Sequence, residues 1–301
     1  MNVDLTRLAA VLSERLHQGL RELVPLGIPC TWPVFRAVTA DGREMFVKVM
    51  EKAAAERTFT CLGSAGDCPL LPRPIIPEVL DFGEFAVLCL DWRKAERVEP
   101  EQMTDGQFRS FVGGCVSLSE ALRSFSGSFS DYADEDWPED QYAALAHHSA
   151  RHPLTGRLLR PLLALPERMR SCAGRELVPI HGDFQSRNYR FDGDHLAAVF
   201  DVDDIVPGLP CEDATYAFTE RLRHSELTDD ERRRIIDLFL RMVGMTPWPL
   251  EDWQFAVSHA RLRIAARRIL RHPHLPFIEL DVLRRDKPLR LLAEALESHR
   301  A

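Results

Sequence analysis

Apolar and polar positions follow two regimes along this chain. From Pro33 to Met50 the apolar residues form two extended runs, PVFRAVT and REMFVKVM, joined at Asp41-Gly42. Strand-forming runs on either side of an Asp-Gly pair predict a β-hairpin. The stretch EKAAAERTFTCLGSAG (51–66) predicts a helix ended by glycines. EVLDFGEFAVLCLDW (78–92) predicts two more short strands around a turn at Gly83-Glu84. Ahead of these, MNVDLTRLAAVLSERLHQGL mixes charges among its apolar residues and reads as an amphipathic helix, without the unbroken apolar stretch of a signal peptide.

After Trp92 the spacing becomes helical. Phe108, Phe111, Val112, Cys115 and Leu118 lie near a 3.6-residue period and predict a helix over 105–125. DYADEDWPED (131–140) reads as an acidic loop or helix start, and helices are expected through 139–172. A strand–turn–strand region is expected over 177–206. Further helices are expected near 212–223, 229–244, 250–271 and 280–299. In the third of these Trp253, Val257, Ala260 and Ile264 share a face. The pattern is α+β and bilobal: a small strand-rich lobe over 1–91, then a larger, mainly helical lobe over 92–301. A cleft between two such lobes is the default place for a ligand.

Composition narrows this picture. A chain of 301 residues with 45% hydrophobic and 28% charged residues has the make-up of a globular protein with a large core. The 38 lysines and arginines against 46 aspartates and glutamates leave a formal charge of −8. That argues against a nucleic-acid binder, which needs a basic surface for phosphates. No window approaches the apolar length of a membrane span. Seven scattered cysteines without a C-x-x-C fit buried thiols in a reducing cytoplasm better than a disulfide framework or a zinc site.

The chemistry is concentrated in PIHGDFQSRNYRFDGDHLAAVFDVDD (179–204). Asp183 follows His181-Gly182 on a turn, and Asn188 comes five residues later. YRF and LAAVF form short strands around Asp192-Gly193-Asp194, so the chain doubles back and returns Asp201 toward Asn188. An amide oxygen and a carboxylate brought together are hard ligands suited to Mg²⁺ alongside phosphate oxygens. Asp183 on the same rim is placed to orient or deprotonate a hydroxyl.

HGDFQSRN…VFDVDD resembles the catalytic and metal loops of the aminoglycoside phosphotransferases and their choline kinase and homoserine kinase relatives, which share the protein-kinase-like fold. DVDDIVPGLPCEDATYAF continues the resemblance, with Gly208, Pro210 and Asp213 in register. The resemblance implies a kinase acting on a small molecule, with ATP or GTP as co-substrate and Mg²⁺ as cofactor. It implies that Asp183 is the catalytic aspartate, that Asn188 and Asp201 bind magnesium, and that Asp213 braces the catalytic loop. It also implies a lysine on the third strand that pairs with the nucleotide phosphates, which MFVKVM supplies as Lys48. Glu56, eight residues on, is the expected partner of that lysine. AVLCLDW would be the fifth strand and hinge, with backbone from Leu90 to Trp92 reaching the adenine.

The tripeptide Asp81-Phe82-Gly83 imitates the metal-binding DFG of protein kinases. It precedes the H-G-D segment by about a hundred residues, so it is read as turn chemistry. Its functional equivalent is Asp201. The phosphate-covering segment would be LGIPCTWPVFRAV (26–38), which carries no G-x-G-x-x-G.

The acceptor is less legible. The acidic residues of 131–140 could gather a cationic substrate, while Arg261, Arg263, Arg267, Arg268 and Arg271 could favour an anionic one. A small cationic amino-sugar or amino-alcohol is the favoured class. Two other readings stand beside a kinase. One is a catalytically weak nucleotide-binding protein of the same fold. The other is a haloacid dehalogenase-type phosphatase, suggested by AVFDVDD, for which the 181–188 segment would be irrelevant.

Overall fold

The computed structural model describes residues 3–27, 31–129, 147, 177–271 and 278–298. The acidic stretch 131–140, Trp137 and the helices expected over 139–172 lie outside the described residues, apart from a helical residue at 147.

The first part of the chain builds an antiparallel sheet in the order β1-β2-β3-β5-β4. Its strands are β1 (Leu20–Pro25), β2 (Val34–Thr39), β3 (Glu44–Glu51), β4 (Leu80–Phe82) and β5 (Phe85–Asp91). The Asp41-Gly42 turn joins β2 to β3 with Val38 opposite Glu44. Two helices cover the sheet. Helix α1 (Leu5–Leu16) places Leu8 and Leu12 against Met45, Val47 and Val49. Helix α2 (Lys52–Ser64) places Ala54 and Ala55 against Met50, Ala86 and Leu88. Alternate residues of β3 thus enter different cores, which is why MFVKVM reads as one apolar run rather than an alternation. Lys48 lies on the side of Met50, facing α2. Strand β1 was not anticipated, because LRELVP mixes charges and proline with its apolar residues.

Asp81 sits between Leu80 and Phe82 of β4, largely exposed and ion-paired at 2.5 Å with Lys52. Gly83 has φ 77°, the left-handed conformation the β4–β5 turn requires. The decoy tripeptide is the end of an edge strand and the first residue of its turn, with Phe82 buried in the sheet's core.

The second part carries helices α3 (Asp105–Leu122), α4 (Cys211–Leu222), α5 (Asp229–Met245), α6 (Leu250–Arg271) and α7 (Ile278–Ser298). Between α3 and α4 come β6 (Val178–Ile180), the hairpin β7 (Tyr189–Asp192) and β8 (His195–Val199), and β9 (Val206–Gly208), which pairs with β6. Thr104 caps α3 with a reciprocal capping box, and its hydroxyl also donates to Asp194 at 2.7 Å. The N–H of Leu196 donates to the Ser110 hydroxyl at 2.8 Å. These contacts fix the β7–β8 hairpin on α3. Phe111 of α3 packs against Phe184, Tyr189 and Phe218, so aromatic residues of the functional segment anchor in the main core.

Three arginines of the α6 run, Arg261, Arg263 and Arg268, are engaged with neighbouring helices. Arg261 is buried and forms a bidentate pair with Asp286 of α7, at 2.7 and 2.9 Å. Arg263 lies over the Tyr216 ring at 4.4 Å, and Arg268 pairs with Asp281 at 2.5 Å. These three cations hold the helices together, which weakens the sequence argument for an anionic acceptor. Trp253 is fully buried. No helix among the described residues is long and apolar enough to cross a membrane.

Cys61, Cys68, Cys89, Cys115 and Cys211 are buried free thiols. Burial pushes Cys61 and Cys89 up to about 12. These folded-state values lie above the ordinary 9.0, so the stability they confer is complete below pH 9 and is lost as pH rises toward 12. We expect both thiols to resist iodoacetamide at pH 8 in the folded protein and to react on unfolding. Mass spectrometry of the alkylated peptides checks this.

Candidate active site

The short β6–β9 ladder sets the base of the site. Ile180 faces Val206, and the next residues, His181 to Asp183, leave the strand as a turn. Gly182 has φ 79°, and a Cβ there would stand 2.7 Å from the carbonyl oxygen of Asp204. Only glycine satisfies both constraints.

Asp213, in the first turn of α4, reaches back to hold this turn. Its carboxylate accepts from the N–H of His181 at 2.8 Å and of Gly182 at 2.9 Å. Burial pushes the Asp213 carboxyl above its usual range, against the pull of those two bonds. The bracing geometry matches the sequence expectation. Asp213→Ala would leave the buried N–H of His181 and the half-buried N–H of Gly182 without acceptors and is expected to cost about 2–4 kcal/mol. Urea unfolding of the variant against the parent measures this.

His181 is fully buried. Its Nδ1 accepts the N–H of Asp183 at 3.3 Å, and its Nε2 faces the carbonyl of Phe200 at 2.7 Å. A carbonyl accepts only, so these partners assign the neutral ring with hydrogen on Nε2. The histidine therefore ties the 181–183 turn to the residue before Asp201.

Three side chains donate to Asp183. Gln185 Nε2 donates to Oδ1 at 2.7 Å, while Asn188 Nδ2 and Arg187 each reach Oδ2 at 3.0 Å. Asn188 is buried, and its amide also donates to the Asp183 carbonyl at 2.8 Å. The N–H of Phe200 donates to the Asn188 carbonyl at 2.7 Å, extending the β7–β8 ladder by one rung. That rung delivers Asp201 beside Asn188, as the hairpin reading required. Asp201 has φ 67° and ψ 45°, a left-handed residue leaving the hairpin for a turn of 3₁₀ helix over Val202–Asp204. Gln185 was not anticipated. Its short reach to Asp183, two residues away, is a local contact with no periodic signature.

Lys48 enters from the sheet. Its Nζ lies 2.5 Å from Asp201 Oδ1 and also bonds Asp203 Oδ2. Burial opposes the charge on Lys48, but Asp203 and Asp201 outweigh it and raise the lysine above its ordinary value. Burial alone would raise Asp201 too, and Lys48 reverses this and lowers it. Asp203 ends up raised, by burial and by the neighbouring charge of Asp201. Its other oxygen faces the Thr58 hydroxyl at 3.0 Å.

Two expectations need correction. Glu56 is exposed on α2 and forms no ion pair with Lys48. At about 100° per residue it lies about 160° around the helix from Thr58, while Ala54, Ala55, Cys61 and Leu62 flank Thr58 on the inner face. The helical period of the buried positions would have excluded it. Leu90 lies inside β5, between Phe46 of β3 and an isolated bridge to Pro74. Its backbone serves the sheet. Trp92 follows the last strand residue, half-buried, with the Arg36 guanidinium 6.0 Å from its ring.

The charges do not balance. Asp183, Asp201, Asp203 and Asp204 surround Lys48 and Arg187, and Asp204 is pushed up by burial and by the first three carboxylates. A divalent cation suits this excess. Among the described residues no three acidic, histidine or cysteine side chains converge on one metal position. Asn188 and Asp201 could offer one amide and one carboxylate oxygen, hard donors of the type Mg²⁺ takes together with water and phosphate oxygens.

The sequence pattern of the phosphotransferase enzyme family matches residues 31–273. No curated protein sequence matches the chain. Among solved structures, an amicoumacin kinase in complex with AMP-PNP and Ca²⁺ is similar, with a TM-score of 0.67 at 11% identity over 98% of this chain and 94% of that one. An aminoglycoside phosphotransferase from Alicyclobacillus acidocaldarius gives 0.67 at 15% identity over 100% and 96%. An ethanolamine kinase from Plasmodium vivax gives 0.57 at 11% identity over 94% and 84%. At these identities the likeness establishes the fold, which is the bilobal, protein-kinase-like one.

Proposed function

Because the chain belongs to the phosphotransferase enzyme family, we propose that it is a small-molecule kinase that moves the γ-phosphoryl group of ATP or GTP onto a hydroxyl. The observation that carries this reading is the meeting of Lys48 from the sheet with Asp201 from the end of the β7–β8 hairpin, 153 residues away in sequence, beside Asp183. Phosphoryl transfer needs positioning and charge neutralisation more than covalent chemistry, and this is a set of positioned charges.

In this reading the nucleotide lies between the strand-rich portion 1–91 and the helical portion 92–301. Its adenine edge meets backbone from Trp92 onward rather than Leu90. Lys48 binds phosphate oxygens. Asn188 and Asp201 hold Mg²⁺, which supplies charge neutralisation to the phosphates. Asp183 accepts the hydrogen bond of the acceptor hydroxyl and takes its proton. Gln185 and Asn188 hold the Asp183 carboxylate in place, and Arg187, half-exposed, is free to swing from Asp183 to the transferred group.

We assign the acceptor to small cationic amino-sugars or amino-alcohols, acting in the cytoplasm. The surplus of carboxylates around Asp183 favours a cation. Of the arginines that would favour an anion, Arg261 and Arg268 pair with aspartates of α7 and Arg263 lies over the Tyr216 ring of α4. The solved relatives are named as kinases of amicoumacin, aminoglycosides and ethanolamine, one of them in complex with AMP-PNP. A phosphatase centred on Asp201 would leave residues 181–188 without a role, whereas His181 and Asn188 are bonded to the residue before it.

A nucleotide-consumption screen tests the proposal, with ATP and GTP, with and without Mg²⁺, against amino-sugars, amino-alcohols, nucleosides and sugars. Acceptor-dependent consumption that requires Mg²⁺ is expected, and highest with amine-bearing alcohols. A nucleotide-induced rise in Tm without consumption on any acceptor would instead favour a binding protein of the same fold.

A further inference from the structure

The lysine of this site needs a fixed anion whenever Asp201 turns to another partner. Lys48 is buried, and a buried ammonium without a counter-charge is costly. Glu56 cannot serve, being exposed on the far face of α2. The two anions present differ in their setting. The Asp201 side chain is 38% exposed at the mouth of the site, whereas the Asp203 side chain is 10% exposed and lies deeper. Asp203 is also held from its other side. Thr58, on the inner face of α2, places its hydroxyl 3.0 Å from Asp203 Oδ1 and 2.9 Å from the carbonyl of Ala54. Val202, which opens the 3₁₀ turn, and Ile205, which follows it, are buried in the main core and fix the backbone that carries Asp203.

We propose that Asp203 is the positioning residue for Lys48, with Thr58 of α2 steadying Asp203, so that the lysine is held from the loop after β8 rather than by a glutamate of the helix. This rests on the phosphoryl-transfer reading above. It divides the labour between the two aspartates. Asp201, at the mouth, is released to the cation and nucleotide, and Asp203 keeps Lys48 aimed at the phosphates throughout. It also joins α2 to the metal loop directly, since Thr58, Asp203 and Lys48 belong to three different elements. A shift of α2 would then move the lysine through Thr58 and Asp203.

The test combines turnover with a measurement that needs no turnover. Asp203→Asn is expected to lower kcat by about 10- to 100-fold, the scale of misplacing a catalytic group by about 1 Å, with a much smaller change in the nucleotide KM. Asp203→Glu should recover part of the loss, and Glu56→Gln should behave as wild type. Because Asp203 acts through Lys48, adding Asp203→Asn to Lys48→Met should cause little further loss. Losses that simply add would overturn the proposal. So would recovery of Asp203→Asn at raised Mg²⁺ or Mn²⁺, which would make Asp203 a metal ligand. Independently, the rate at which acetic anhydride labels Lys48 in the nucleotide-free protein, read by mass spectrometry, should rise severalfold in Asp203→Asn and stay unchanged in Glu56→Gln. Equal labelling in wild type and Asp203→Asn would also overturn it. A wild type that consumes no nucleotide while showing the expected labelling pattern would sink the kinase reading and leave the Lys48–Asp203 pairing standing.

Discussion

Asp201→Ala is expected to lower turnover by about 10³-fold or more, the scale of removing a principal source of transition-state charge stabilisation. The carboxylate it removes is one of the two side chains proposed to hold Mg²⁺. Its neighbour Asn188 already spends its amide N–H groups on Asp183 and can offer only its oxygen. Lys48 would keep Asp203, so the buried ammonium would not be stranded. The fold should therefore survive. One confounding cost comes from the backbone, because φ at Asp201 is 67° and alanine tolerates that conformation less well than aspartate or asparagine. Asp201→Asn separates the two effects: it keeps the left-handed turn and loses the charge. Both variants should lose turnover to a similar degree, while Asp201→Asn keeps a Tm close to the parent. Steady-state kinetics across a Mg²⁺ titration, with thermal unfolding alongside, measure this. Turnover near wild type in either variant would refute the assignment of Asp201 to the metal.

The second large effect is expected at Asp183. Asp183→Ala should reduce kcat by about 10²–10⁴-fold, the usual worth of a positioned general base. The nucleotide KM should change little, because the proposal sets this carboxylate against the acceptor and not among the groups assigned to phosphate. The structure also predicts how Asp183→Asn behaves. Gln185, Arg187 and Asn188 all donate to this carboxylate. An asparagine amide would set its NH₂ against at least one of those donors, so it cannot restore the geometry by shape alone. Both variants should be comparably impaired, and kcat and kcat/KM for the acceptor should fall together. An Asp183→Asn variant close to wild type would show that proton acceptance at this position is not needed.

Much of this architecture was legible in the chain. The Asp41-Gly42 turn fixed the β2–β3 pairing, and Asp192-Gly193-Asp194 fixed the β7–β8 hairpin. The latter placed Asn188 and Asp201 together, because a hairpin's register follows from its turn. The order of the two D-containing motifs separated the Asp81 hairpin from the candidate metal loop at Asp201. The apolar periods of α3 and α6, and the spans expected for α4, α5 and α7, fell within a few residues of the observed helices. Such features are local: they depend on dihedral preference and on apolar repeats within one element. The register of β5 was less accessible. Which backbone groups of Leu90 face β3 depends on the pairing of two strands separated by α2, and no turn joins them.

The sequence alone picked out the candidate residues: Lys48 on a strand, Asp183 and Asn188 on one loop, and Asp201 beyond a hairpin. Tertiary structure decided which of them act on one another. It gave Lys48 to Asp201 and Asp203 instead of Glu56, turned Arg261 inward to Asp286, and brought Thr58 against Asp203. The reason is that a charged side chain takes its partner from whatever element is packed opposite. That packing is set by burial summed over whole faces, a quantity that spacing along a single element does not contain.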